Sequence, residues 1–197
     1  MIAELWQYMD GATWSDTTAH PWRRYFARMI DTTIYAAAGF YVTGLILITT
    51  DVALYYSFMD LLSGLEGKLI SAFLGFIYAI VGGAVVIGLT SGSLGKWLMG
   101  VRVVDAGDKP IGVLRALWRE ILVWVNGLGL GIPFVMIVTL VMAYRRLDGD
   151  AITSWDDELD LVVRHRSHGK MQTVLGIVGV VLYIAALVAL MWPDSSQ

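Results

Sequence analysis

The chain contains no cysteine and only four prolines in 197 residues. Without thiols it forms no disulfide, holds no metal through thiolates and offers no cysteine nucleophile, and its redox compartment is left open. Charge is scarce too: 14 Lys and Arg and 17 Asp and Glu amount to 16% of the residues, with a formal balance of −3. That balance lacks the basic footprint of a nucleic-acid binder. The start, MIAELWQYMD, has acids where a signal peptide carries bases, and no small-residue cleavage site follows. No cleaved signal is expected, and the first spanning helix should direct insertion. There is also no phosphate-binding glycine loop, nucleophile elbow or zinc-protease helix, so neither an enzyme nor a cofactor is expected. The acids at 148, 150, 156, 157, 158 and 160 lack calcium-loop spacing and its glycine, and read as a solvated loop. His165 and His168 share a face only if that segment is helical, and two ligands make a poor metal site.

What the chain has in quantity is apolar sequence, 57% of residues, with a mean hydropathy of +0.65. Uncharged or nearly uncharged runs fall at 32–50, 69–89, 121–143 and 171–192. A run crossing a hydrocarbon core of roughly 30 Å needs about 20 residues at about 1.5 Å each. The chain is therefore expected to be one all-α polytopic membrane domain, with the lipid bilayer as its first partner.

The stretch that organises the rest is WRRYFARMIDTTIYAAAGFYVTGLILIT, residues 22–49. Arg24, Arg28 and Asp31 stand at i, i+4 and i+7, on one stripe of a helix two turns long. An unpaired carboxylate inside a membrane costs several kcal/mol at mid-depth and less near the interface. Asp31 therefore requires a partner, and the two arginines are the nearest on its own face. Before this helix, residues 1–21 read as an interfacial helix or a loosely ordered tail. After it, 51–68 reads as an acidic external loop with Tyr55 and Tyr56 at the interface. The span at 69–89 carries Ala84, Gly88 and Gly92 as a small-residue ladder for close helix packing. Leu94 to Met99 reads as a short amphipathic helix, and Val101 to Val104 and Leu159 to Val163 as two β-prone runs. Those runs can pair only if they lie on the same side of the membrane.

Residues 112–146 admit two readings. One is a single span from Ile121 to Tyr144. The other is a re-entrant hairpin, with helices from about Val113 to Val125 and Pro133 to Arg146 joined by the turn chemistry of Asn126-Gly-Leu-Gly-Leu-Gly-Ile-Pro133. Basic residues favour the hairpin. They fall at 23, 24 and 28, at 96, 102, 109, 115 and 119, and at 145, 146, 164, 166 and 170, with Lys68 alone elsewhere. The hairpin puts all of those clusters in the cytoplasm, whereas a single span exports the last five. The expected architecture is three transmembrane helices plus this hairpin, with short amphipathic and β-like cytoplasmic segments and a cytoplasmic N-terminus.

RRYFARMID, SLGKWLMGVRVVDAGDKPI and LRALWREIL, in that order and spacing, resemble the RDD family of bacterial membrane proteins over about Trp22 to Arg166. The resemblance assigns the family's Arg to Arg24 and its Asp residues to Asp31 and Asp105, with Gly95, Lys96 and Gly100 in the linking motif. Among Asp156, Asp157 and Glu158 it leaves open which acid belongs to the closing segment. It implies an inner-membrane location and, in general terms, a role in transport; the chain as a whole is read as a membrane domain over 22–170, preceded by the 1–21 tail or interfacial helix and followed by a final transmembrane helix at 171–192 and a 193–197 tail.

Arg24, Arg28 and Asp31 fit either a topological anchor or a proton-exchanging site. Arg119 and Glu120 are neighbours in sequence, about 100° apart on a helix, and are expected to pair elsewhere: Glu120 with Arg115 or an arginine of the first helix, Arg119 with Asp31 or Asp105. Asp105 beside Lys109 reads as a turn former. The expected function is movement of ions or small solutes, coupled to protons through this buried Arg/Asp/Glu network. The alternative is a non-transporting scaffold that recruits an unidentified protein partner. Three spans and a hairpin supply little material for a pathway, so transport implies a homo-oligomer.

Overall fold

The computed structural model describes residues 14, 16–167 and 169–191. Expectations for 1–13, Ser15, His168 and 192–197 lie outside the described residues. The first helix, α1 (Pro21–Thr50), opens on a proline whose fixed φ and missing N–H suit a first turn. It runs for 30 residues and ends at Asp51. There the chain does not enter a loop: Asp51 accepts hydrogen bonds from Ala53 N (2.9 Å) and Leu54 N (3.1 Å) and caps α2 (Val52–Leu61). The acidic composition of 51–68 masked this N-cap.

Helix α3 (Gly64–Thr90) lies along α1. Their contact is built from rings set into glycine notches. Tyr78 fills the space that a side chain at Gly39 would need, and Tyr35 does so at Gly82. Thr43 and Tyr78 hydroxyls meet at 2.7 Å. An adjoining face of α3 meets α5 (Val113–Leu122): a Cβ at Gly88 would strike the Val113 backbone, and Gly112 N donates to Gly88 O at 3.1 Å. Of the expected ladder, Ala84 and Gly88 are buried at this crossing, whereas a side chain at Gly92 would enter open space.

After α3, α4 (Leu94–Met99) is a short helix of about a turn and a half packed on α1, with Gly95, Lys96 and Met99 buried, capped by Ser93 and stopped by Gly100 at φ +61. A left-handed residue there bends the chain directly into β1 (Val101–Val104), and glycine adopts it without a Cβ penalty. β1 pairs antiparallel with β2 (Val162–His165), Val101 opposite His165 and Val104 opposite Val162. The second strand begins three residues later than the β-prone run, because Leu159 closes the short helix α7 (Ser154–Glu158) and Asp160 turns at φ +49.

The pairing returns the chain at 162 to where it left at 104. Everything between is a folded excursion: α5, a π-helical turn (Val123–Gly127), a 3-10 turn (Gly129–Gly131), α6 (Pro133–Asp150) and α7. The helix, turn, helix pattern follows the sequence closely, with α6 extending four residues past Arg146. The last helix, α8 (Lys170–Met191), packs on α4 and α1. Among the described residues, three helices are long and apolar enough to cross a membrane: Pro21–Thr50, Gly64–Thr90 and Met171–Val188. The buried core sits at one end of them, where Ala27, Ile30, Ile87, Met99, Val103 and Val163 meet.

Candidate functional site: a buried ion-pair network at the head of α1

Asp31 lies one turn beyond the core-facing Ala27, on the α1 face that α4 covers, and is 5% exposed. Its carboxylate does not pair with the arginines of its own stripe. It accepts from Gly95 N at 2.8 Å, from Lys96 Nζ at 3.1 Å and from the Ser93 hydroxyl. Gly95 permits this approach: a Cβ there would strike Ala27 O and the Asp31 carboxylate. Residues 93–96 thus form a cradle whose backbone, hydroxyl and ammonium all converge on one acid. Burial pulls the Lys96 ammonium below its ordinary pKa, with Asp31 opposing that shift.

The two arginines of the stripe reach past Asp31 to other acids. Arg28 grips Glu120 with both terminal nitrogens, one of them at 3.2 Å. Glu120, 1% exposed, also accepts from Arg119 Nη1 at 3.2 Å. Adjacent residues do pair here, against the expectation from their angular separation, because the long Arg119 side chain curls back across its neighbour. Arg119 Nε then donates to Asp156 at 2.8 Å, so its partner is neither Asp31 nor Asp105. Asp156 is completely buried, accepts from Thr153 Oγ1 at 2.6 Å and stands 3.5 Å from Arg24 Nη1. Arg24 also donates through Nε to His165 Nε2 at 3.4 Å. Four cations (Arg24, Arg28, Lys96, Arg119) therefore surround three carboxylates (Asp31, Glu120, Asp156), drawn from α1, α4, α5 and α7.

His165 is fully buried at the end of β2, edge-on to His20 with ring centroids 4.8 Å apart. Burial first, and then the Arg24 guanidinium, hold its pKa down to about 3, so the imidazole is neutral. Two other expected residues stand apart from the network. Asp105 is a turn former: its Oδ1 accepts from Gly107 N at 2.8 Å and Lys109 N at 2.9 Å, and these bonds lower its pKa. Arg115 is exposed and donates to Leu159 O at 2.6 Å.

Beside the network, between α1 and α6, is a cavity of about 520 Å³. Arg24, Arg28, Lys96, Arg119 and Asp156 border it, and its remaining wall is largely apolar, including Met29, Leu128, Leu140 and Leu147.

A model of the RDD family matches residues 18–197, nearly the whole chain. The chain belongs to the RDD family. The match includes the final helix, which the sequence motifs alone left outside the resemblance. No curated protein and no solved structure matches the chain. Of the three residues that the resemblance assigns to the motif, Arg24 and Asp31 lie in the network and Asp105 does not. In the linking motif, Gly95 and Lys96 hold Asp31, whereas Gly100 makes the turn beneath Arg23, which donates to Met99 O at 2.6 Å and Gly100 O at 3.0 Å.

Two network residues escaped the sequence reading. Asp156 was submerged in the acidic run, although Thr153-Ser-Trp-Asp156 has the spacing of a helix-capping pair beside an apolar anchor. Ser93 carried no signal beyond its place before a helix.

Proposed function

We propose that this RDD protein moves ions or small solutes across the bacterial inner membrane, with proton coupling through the buried network. The observation that carries the reading is the Lys96–Asp31 pair. It joins an amine whose proton affinity is reduced by burial to a carboxylate on a membrane-entering helix, at 3.1 Å. A proton leaving Lys96 would leave the Asp31 charge without its ammonium, a change that the adjacent Arg28–Glu120–Arg119–Asp156 chain would feel. Polar groups of this kind within a membrane domain are expensive, and mark proton relays and ion pathways more often than structural decoration. In this reading the 113–150 excursion is re-entrant, the N-terminus is cytoplasmic, the active form is a homo-oligomer and no enzymatic step is involved.

One feature favours the scaffold alternative. Each of the three carboxylates has at least two donors or cationic neighbours, and a saturated network also fixes helix packing. Proteoliposomes enclosing a pH-sensitive dye and challenged with sodium, potassium and lithium gradients separate the two. Cation-dependent proton flux that Asp31→Asn abolishes in a folded protein supports transport, and silence from folded wild type supports the scaffold.

A further inference from the structure

The charges that face the cavity between α1 and α6 are unlike those of the network as a whole. Glu120 and Asp31 sit behind the wall. Those that line it are Arg24, Arg28, Lys96, Arg119 and Arg145 against a single acid, Asp156, five cations to one anion. Two of the cations retain binding capacity. Arg24 Nη1 is buried and makes no hydrogen bond, its one ion-pair contact among the described residues being Asp156 at 3.5 Å, and Arg145, exposed on α6, forms no ion pair among the described residues. A buried guanidinium nitrogen left unsatisfied is costly, and an anion placed against it removes that cost.

The rest of the cavity's lining is largely apolar, and the cavity opens sideways. Trp22, Val141 and Tyr144, which line it, are all substantially exposed on the outer surface of α1 and α6. These two helices touch only lightly, so the space between them is a lateral cleft and not a sealed void. At about 520 Å³ it falls within the roughly 300–1,000 Å³ range of small-molecule sites. An inorganic anion would satisfy the arginines and leave the apolar walls wet. A cation would be repelled.

We propose that the cleft binds a single-chain carboxylate amphiphile of the fatty-acid type drawn from the bilayer, its head between Arg24 and Arg145 and its alkyl chain along Met29, Leu128, Leu140 and Val141. The planar guanidinium fork matches a carboxylate in two parallel hydrogen bonds, which a lysine cannot reproduce. This site goes beyond the transport reading and does not depend on proton movement.

Full-length protein in zwitterionic nanodiscs, exposed to a palmitate analogue bearing a diazirine on its chain and then irradiated, reports occupancy directly. The expected cross-links map to peptides containing 22–29 and 140–147. Excess palmitate should suppress them, and hexadecyltrimethylammonium should not. Arg145→Gln, a surface change that leaves folding intact, should lower apparent affinity by about tenfold, the equivalent of one charge-assisted hydrogen bond. Val141→Trp, which fills the mouth, should abolish cross-linking. Cross-links that map elsewhere, or that survive Val141→Trp, or that the cationic amphiphile suppresses equally, would overturn the proposal. Because the assay reads occupancy and not flux, its failure leaves the transport reading standing, and a failure of flux leaves the site standing.

Discussion

Replacing Lys96 with Met removes one ammonium from a deeply enclosed ion pair while keeping a side chain of similar length. Lys96 is 5% exposed and Asp31 also 5%, so neither gains water when its partner is lost. Breaking a buried pair from one side costs about 3–5 kcal/mol, because it strands a charge. Asp31 keeps two donors, Ser93 Oγ and Gly95 N, which places the expected loss near the lower end, about 3 kcal/mol. Asp31→Leu alone strands the ammonium instead, with the Ser93 hydroxyl at 3.4 Å as its remaining neighbour, and should cost at least as much. The double variant carries no stranded charge, so the two losses should fall short of additive by about 2–3 kcal/mol. Reversible unfolding in mixed micelles of mild detergent and increasing dodecyl sulfate measures all four corners of this cycle. Additivity within about 0.5 kcal/mol would refute the pairing of these two residues, whatever the single losses were.

Further outcomes follow from the same geometry. Asp156→Asn should destabilise by about 3 kcal/mol, whereas Asp157→Asn one residue on, whose partner Arg146 is exposed, should cost less than about 1 kcal/mol in the same assay. Gly95→Ala should cost about 1–3 kcal/mol or more by forcing a methyl group against Asp31 and Ala27 O, and thermal melts followed by size exclusion would read it. His165 has a folded pKa near 3 against about 6.5 unfolded, so the unfolded chain binds the extra proton between those values. Its contribution is therefore complete above about pH 6.5 and is lost as pH falls toward 3, by up to about 1.4 kcal/mol per pH unit. Melting curves of wild type should drop across that window, and His165→Gln should flatten the drop. A single cysteine at Asp148, exposed on α6, should react with an impermeant maleimide only after right-side-out cells are opened; labelling of intact cells would contradict the re-entrant reading.

The parts of this structure that depend on local chemistry were legible in the residue order. Apolar runs gave the three long helices, the glycine turn at 126–133 separated α5 from α6, and Asp105 formed the turn its neighbours required. Partner choice was not legible. Arg24, Arg28 and Asp31 do share a stripe, but a helix face one turn apart is also a face that other elements cover, and each of the three is claimed by a different one: α7, α5 and α4. Lys96 read as part of a linking motif because its role depends on a contact 65 positions away. Asp156 read as solvated because five other acids surround it in sequence, while in space it sits beneath Trp155 and Thr153, under two arginines. Long-range ion pairing is set by packing, and packing of helices on glycine notches leaves only a faint trace in periodicity.

The most direct test of the central claim is lumenal pH in proteoliposomes of wild type and Asp31→Asn under imposed sodium, potassium and lithium gradients. Proton-coupled movement predicts a cation-dependent pH change in wild type that disappears in Asp31→Asn while its fold persists. No pH change from well-folded wild type under any gradient would contradict the account, and leave the network as a packing device.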